Sequence, residues 1–129
     1  MPPASPLSLA AILTVAGGGA LGAVARHLVG VLGARVLAAP AVWATFAINV
    51  TGAFALGWFL RWAEATAAAP GPRLFVAVGL CGGFTTFSTF AVETLGLLES
   101  GQPMRAALYV GLSLFGSVAA AAAGFALRG

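Results

Sequence analysis

The chain contains no lysine and no aspartate, and its only acids are Glu64, Glu93 and Glu99. It also has one cysteine, one histidine and one tyrosine. Each scarcity removes a class of function. A single thiol, Cys81, excludes an intramolecular disulfide and any site built from several thiolates. In its apolar surroundings it reads as a small buried hydrophobe. Without aspartate there is no Ser–His–Asp arrangement, and no paired carboxylates stand out, so the chain is not read as an enzyme. The six arginines stand singly rather than in a basic patch, which argues against a nucleic-acid partner. The pI of about 10.6 reflects missing acids. Only 7% of the residues are charged, against about 25% in soluble domains.

What is present instead is apolar. The chain is 60% hydrophobic, with a mean hydropathy of +1.03. Such a surface cannot be solvated as a globule, so the chain is placed in a membrane, in contact with lipid. Four stretches approach the roughly 20 residues needed to cross hydrocarbon. They run from about Leu7 to Leu32, Ala41 to Trp62, Leu74 to Leu98, and Met104 to Leu127. Pro40, Pro70-Gly71-Pro72 and Ser100-Gly101-Gln102-Pro103 punctuate the short connections. Proline suits a helix start, where its missing N–H costs nothing. The first stretch is long and lacks a positive leader and a cleavage site, so it reads as a retained span rather than a signal peptide. The expectation is one all-α, four-helix transmembrane domain over residues 1–129.

Arginine in the flanks orients such a protein. One side carries Arg61, Arg73 and Arg128; the other carries Arg35 and Arg105, with Arg26 near the end of the first span. The bias is almost nil. Two readings stay open: insertion in both orientations, or a small bias that suffices.

Within the first span, Gly18, Gly22, Arg26 and Gly30 recur every four residues and share a stripe. Small residues let helices approach closely in lipid, so the stripe reads as a helix contact. Arg26 either snorkels toward headgroups or places a fixed charge near an anion path. His27 stands beside it and is not read as a metal ligand. In the second span, Asn49 follows Thr45 by four residues and precedes Gly52 by three. Its amide needs partners, supplied by another helix or by a polar path.

The densest signal is Gly82-Gly83-Phe84-Thr85-Thr86-Phe87-Ser88-Thr89-Phe90. Two glycines, four hydroxyls and three phenyl rings interrupt the third span. The helix is expected to break there, over Gly82–Thr85. Broken helices expose N–H and C=O ends that hold ions. Phe87 and Phe90 share a face with Glu93. In the fourth span, Tyr109, Ser113 and Ser117 form one stripe. Hydroxyls, an asparagine amide and the positive edges of phenyl rings all favour a small anion, and rings of acids that suit cations are missing.

These motifs resemble those of the four-helix fluoride channels known as Fluc or CrcB. The likeness covers nearly the whole chain. It rests on Gly18-Gly19-Ala20-Leu21-Gly22-Ala23 leading to Arg26, on Asn49-Val50-Thr51-Gly52, and above all on the Gly82–Phe90 run with Glu93. The resemblance implies passive fluoride export across a bacterial plasma membrane, by an antiparallel, dual-topology homodimer with two pores. It implies that Phe87 and Phe90 line the pores, with Thr86 and Thr89 beside them and Asn49 in contact. Tyr109, Ser113 and Ser117 would form a polar track, and Arg26 and Glu93 a vestibule. It further implies a structural sodium ion (Na+) on the dimer axis, held by the carbonyls of Gly82 and Thr85 from both subunits. His27 stands where the family more often has an aromatic residue.

Two other readings remain. A small multidrug-resistance exporter would need a membrane-embedded acid, and the first span has none. A non-transporting assembly subunit would use the glycine stripes for docking alone.

Overall fold

Each long apolar run winds into a helix, because hydrocarbon offers no partner to a backbone N–H or C=O. The computed structural model describes residues 5–36, 38 and 40–127; Arg128, counted above on one flank, lies outside them. Helix α1 is Leu9–Val36 and α2 is Ala41–Ala65. The third span, Pro70–Glu99, is two helices: α3, residues 70–84, and α4, Phe87–Glu99. Helix α5 is Pro103–Ala126. All four spans are apolar enough to cross a membrane, and the shortest has 24 residues. At about 1.5 Å per residue that is about 36 Å, enough for hydrocarbon about 30 Å thick. The spans match the expected stretches to within a few residues at each end.

The connections turn on residues with positive φ: Ala38 (48°), Ala67 (49°) and Gly101 (73°). Two of them close their helices in the same way. At the end of α2, Ala67 N–H donates to Glu64 O (3.2 Å) and Ala68 N–H to Ala63 O (2.9 Å). At the end of α4, Gly101 N–H donates to Leu98 O (3.0 Å) and Gln102 N–H to Leu97 O (2.9 Å). This double closure satisfies carbonyls that a helix end otherwise leaves open.

Helix α1 packs along α3, and α2 along α5. Glycine makes both contacts close. Gly18 and Gly22 of α1 are buried, as the stripe predicted, whereas a Cβ on Gly30 would meet nothing within 4 Å, so the contact does not reach the end of the stripe. A Cβ on Gly18 would meet the Gly79 Cα at 3.0 Å, and one on Gly22 the Phe84 nitrogen at 2.7 Å. Gly57 of α2 lies against the Ala121 backbone, and Gly124 of α5 against the backbones of Phe54 and Trp58. Cys81 is buried, as expected, with Ile48, Phe59, Ala63 and Ala106. Most large apolar side chains, Leu21, Leu28, Leu108 and Phe115 among them, face outward. Outward leucine and phenylalanine suit lipid rather than water.

The break differs from the expected one. Gly82 is helical (φ −64°, ψ −38°), and α3 continues through Phe84. The interruption falls on Thr85 (φ −76°, ψ 157°) and Thr86 (φ −150°, ψ 114°), both extended. Gly83 is a contact rather than a hinge. A Cβ there would lie 2.5 Å from Gly19 O and 3.0 Å from Gly19 Cα. Ahead of it, Arg73–Cys81 is wound as a π-helix.

Candidate functional site

The break begins with a side chain from another helix. Asn49 of α2 donates from Nδ2 to Thr86 O (3.0 Å), and its Oδ1 accepts from Thr86 N–H (2.8 Å). Its amide therefore pairs both backbone groups of the extended residue. Of the two readings for Asn49, the interhelical bond is what the structure shows. An amide nitrogen carries two N–H donors, so one remains beyond the bond to Thr86.

The hydroxyls of the run divide. Thr85 Oγ1 donates back to Cys81 O (2.9 Å). Thr86, buried, caps α4. Its Oγ1 accepts from Thr89 N–H (3.2 Å) and donates to Thr89 Oγ1 (3.0 Å). Threonine is a favoured N-cap for this reason. The capped end carries the positive pole of the α4 dipole. Ser88 and Thr89 are exposed.

Beyond the cap the aromatic rings run in series. Phe87 and Phe90 are 5.6 Å apart between centroids, and Phe90 is 5.2 Å from Tyr109 of α5. Phe87 is 79% exposed in the single chain, whereas Tyr109 is buried. Tyr109 Oη donates to Glu93 Oε2 (2.6 Å), and Thr45 Oγ1 of α2 donates to Glu93 Oε1 (2.9 Å). One carboxylate thus ties α2, α4 and α5 together. Thr45 escaped the sequence reading as a partner of Glu93. Its one signal was a hydroxyl four residues before Asn49.

Ser113, one turn beyond Tyr109 on α5, is buried, and its Oγ has no hydrogen-bond partner among the described residues. Ser117 follows one turn later and is half-buried. The predicted stripe is therefore present, but the Tyr109 hydroxyl is already engaged with Glu93.

A cleft of about 590 Å³ opens between α1, α2 and the start of α4. It brings together Arg26, Thr86, Thr89 and Glu93, and adds His27 and Thr45. Phe87, Phe90, Asn49, Tyr109, Ser113 and Ser117 are not among its walls. Arg26 and His27 are adjacent on α1. Neighbours on a helix are about 100° apart, and both border this wide cleft. Among the described residues no group of three His, Cys, Asp or Glu could hold a metal ion.

Four spans, one broken at mid-course beside buried polar groups, define a small multi-pass membrane protein of the kind that handles ions. A family model described as "CrcB-like protein, Camphor Resistance (CrcB)" matches residues 13–125. The chain is 47% identical over 118 residues to a fluoride-specific ion channel FluC of Nitrobacter winogradskyi, covering 88% of this chain and 90% of that one. It is 47% identical over 117 residues to a protein of the same name from Rhodospirillum centenum, covering 90% and 93%. A third, from Thermus thermophilus, is 44% identical over 117 residues, covering 91% and 94%. The chain belongs to the CrcB family.

Proposed function

We propose that the chain is a fluoride-selective channel, through which fluoride leaves the bacterial cytoplasm passively. The observation that carries this reading is the continuous series Phe87, Phe90, Tyr109, Glu93 and Thr45 beside the capped break. Its phenyl rings have positive edges, and the Ser113 hydroxyl one turn beyond Tyr109 keeps its donor; both attract a small anion without adding positive charge to the bilayer. The three relatives described above, each named for fluoride, share 44–47% of their aligned residues with this chain. In this reading Phe87 and Phe90 wall the pore, with Thr86, Thr89 and Asn49 beside it. Ser113 and Ser117 extend the path, and Arg26 and Glu93 stand at its vestibule. In acidic surroundings fluoride enters cells as neutral HF and ionises inside, so a passive pore suffices.

The working unit is an antiparallel homodimer. A single chain leaves Gly82, Phe87, Ser88 and Thr89 exposed next to a break in the backbone. Lipid does not tolerate such a surface, and a second copy covers it. The even split of arginines between the two flanks supports opposite insertion of the copies.

The break also fits a sodium ion. Thr86 N–H, which would close on Gly82 O in a continuous helix, goes to Asn49. Thr89 N–H, which would close on Thr85 O, goes to Thr86 Oγ1. Both carbonyls lose their helical donors, and hard oxygens of unwound backbone suit Na+. Gly82 O and Thr85 O from two copies would hold it. When bound it supplies fixed positive charge that ties the two broken spans together.

The test is fluoride release from proteoliposomes under a potential-shunting ionophore. Wild-type protein should release fluoride rapidly, and Phe87→Ile or Phe90→Ile should reduce release sharply. Unchanged release from the double variant would remove the pore assignment. No release from wild-type protein would favour an assembly subunit instead.

A further inference from the structure

Among the described residues, three ionisable side chains line the cleft between α1, α2 and α4: Arg26, His27 and Glu93. His27 therefore has Arg26 beside it on α1 and shares the cleft with Glu93 of α4. The wall given by α2 is Ala41, Ala44, Thr45 and Ile48, none of them charged. Arg26 and Glu93 carry opposite formal charges. They form no ion pair, since the ion pair among the described residues is Arg61–Glu64, and both Glu93 oxygens accept from hydroxyls instead. Their formal charges oppose each other in the cleft. The formal sum, +1 and −1, is zero, and the third group decides the sign.

That third group is exposed on the surface of the single chain. Histidine is the side-chain type that ordinarily changes charge between about pH 5 and 8. A cleft with low-dielectric walls focuses the field of such a charge and raises the local concentration of the opposite ion.

We propose that His27 sets the net charge of this cleft and thereby recruits anions to it, so that fluoride flux rises in acid. The proposal rests on the fluoride-channel reading of the same site. The sign is simple. With neutral His27 the cleft is formally uncharged; with a proton it carries +1 and draws in fluoride. Acid is also the condition under which HF loads a cell, so the response would match the need.

The experiment measures fluoride release from proteoliposomes at about pH 8 and about pH 6, equal on both sides, spanning histidine's ordinary range. Release from protein-free vesicles is subtracted to remove leakage of HF. Wild-type flux should be about two- to fivefold higher at the lower pH, as one charge in a wet cleft allows. In His27→Gln the ratio should fall to about one, and in His27→Lys the flux should be raised and again insensitive to pH. A conducting wild type with a flat profile would overturn the proposal. So would a His27→Gln variant that keeps the wild-type ratio. Absence of fluoride release from wild type at both pH values would instead overturn the channel reading itself.

Discussion

Asn49 and Thr86 pair as two strand residues would, one side-chain amide meeting both the N–H and the C=O of one backbone position (2.8 and 3.0 Å). The partners are 37 residues apart in sequence. This relationship makes the broken span tolerable in hydrocarbon. Extended backbone inside a membrane leaves polar groups unpaired unless something else meets them, and here one side chain meets both.

Asn49→Leu should therefore destabilise the fold itself. Each orphaned buried group costs about 1–3 kcal/mol, so a loss of about 2–4 kcal/mol is expected. Asn49→Asp keeps an acceptor for Thr86 N–H but loses the donor to Thr86 O, and should fall between. Unfolding of the purified protein in a denaturing detergent titration reads both. A leucine variant as stable as wild type would show that Thr86 finds other partners.

Gly83 answers a different constraint. A methyl there would strike the backbone of Gly19, and backbone cannot swing aside. Gly83→Ala should cost about 1–3 kcal/mol by overpacking α1 against α3. Gly96, on α4 with nothing within 4 Å of a built Cβ, is the matched control. Gly96→Ala should be neutral or stabilise by up to about 1 kcal/mol. The same titration compares them, and equal effects at the two sites would refute the close-contact account.

Those two glycine neighbourhoods show what could be read from the sequence alone. Span lengths were legible because hydrocarbon thickness fixes them and the proline punctuation marks their ends. The presence of a break was legible from dense hydroxyls in an apolar run. Its position was not. Gly82-Gly83 looked like the weak point, yet close packing against α1 asks for glycine at 83, and the break is placed by Asn49 from another helix. The Thr45–Glu93–Tyr109 cluster was illegible for the same reason. Its bonds join residues 48 and 16 positions apart, on three different helices. The Tyr109, Ser113 and Ser117 stripe was readable because helical periodicity is local.

The Glu93 cluster carries its own test. Tyr109→Phe removes the donor to Oε2, and Thr45→Val the donor to Oε1. A hydrogen bond to a charged group is worth about 1.5–3 kcal/mol, so each change should lower fluoride flux by about tenfold or more. Since both act on one carboxylate, the double variant should lose less than the product of the single losses. Flux assays on the four proteins complete the cycle. Fully multiplicative losses would show that the two hydroxyls act independently of each other rather than through one shared carboxylate.

Ala67 offers a gain. It closes α2 at φ 49°, a left-handed conformation in which a Cβ costs about 1–2 kcal/mol. The corresponding position after α4 is Gly101, at φ 73°. Ala67→Gly should raise stability by about 0.5–1 kcal/mol, the strain relieved less the added freedom of the unfolded chain. A shift of the unfolding midpoint to higher detergent is the expected reading, and a downward shift would count against it.

The arginine balance yields the sharpest test of the antiparallel pair. Arg61 and Arg73 flank one side, and Arg35 and Arg105 the other. The positive-inside tendency acts on charges near span ends. Two lysines added between α4 and α5, at Ser100 and Gln102, should hold that connection in the cytoplasm. Two added between α2 and α3, at Thr66 and Ala69, should hold the opposite side there. Either form alone would insert in one orientation and lack an inverted partner, so its fluoride release should fall well below wild type. Expressing both forms in one cell supplies both orientations, and release should recover. Full activity from one form by itself, with its single orientation verified by labelling the connections, would mean that the functional unit is not antiparallel.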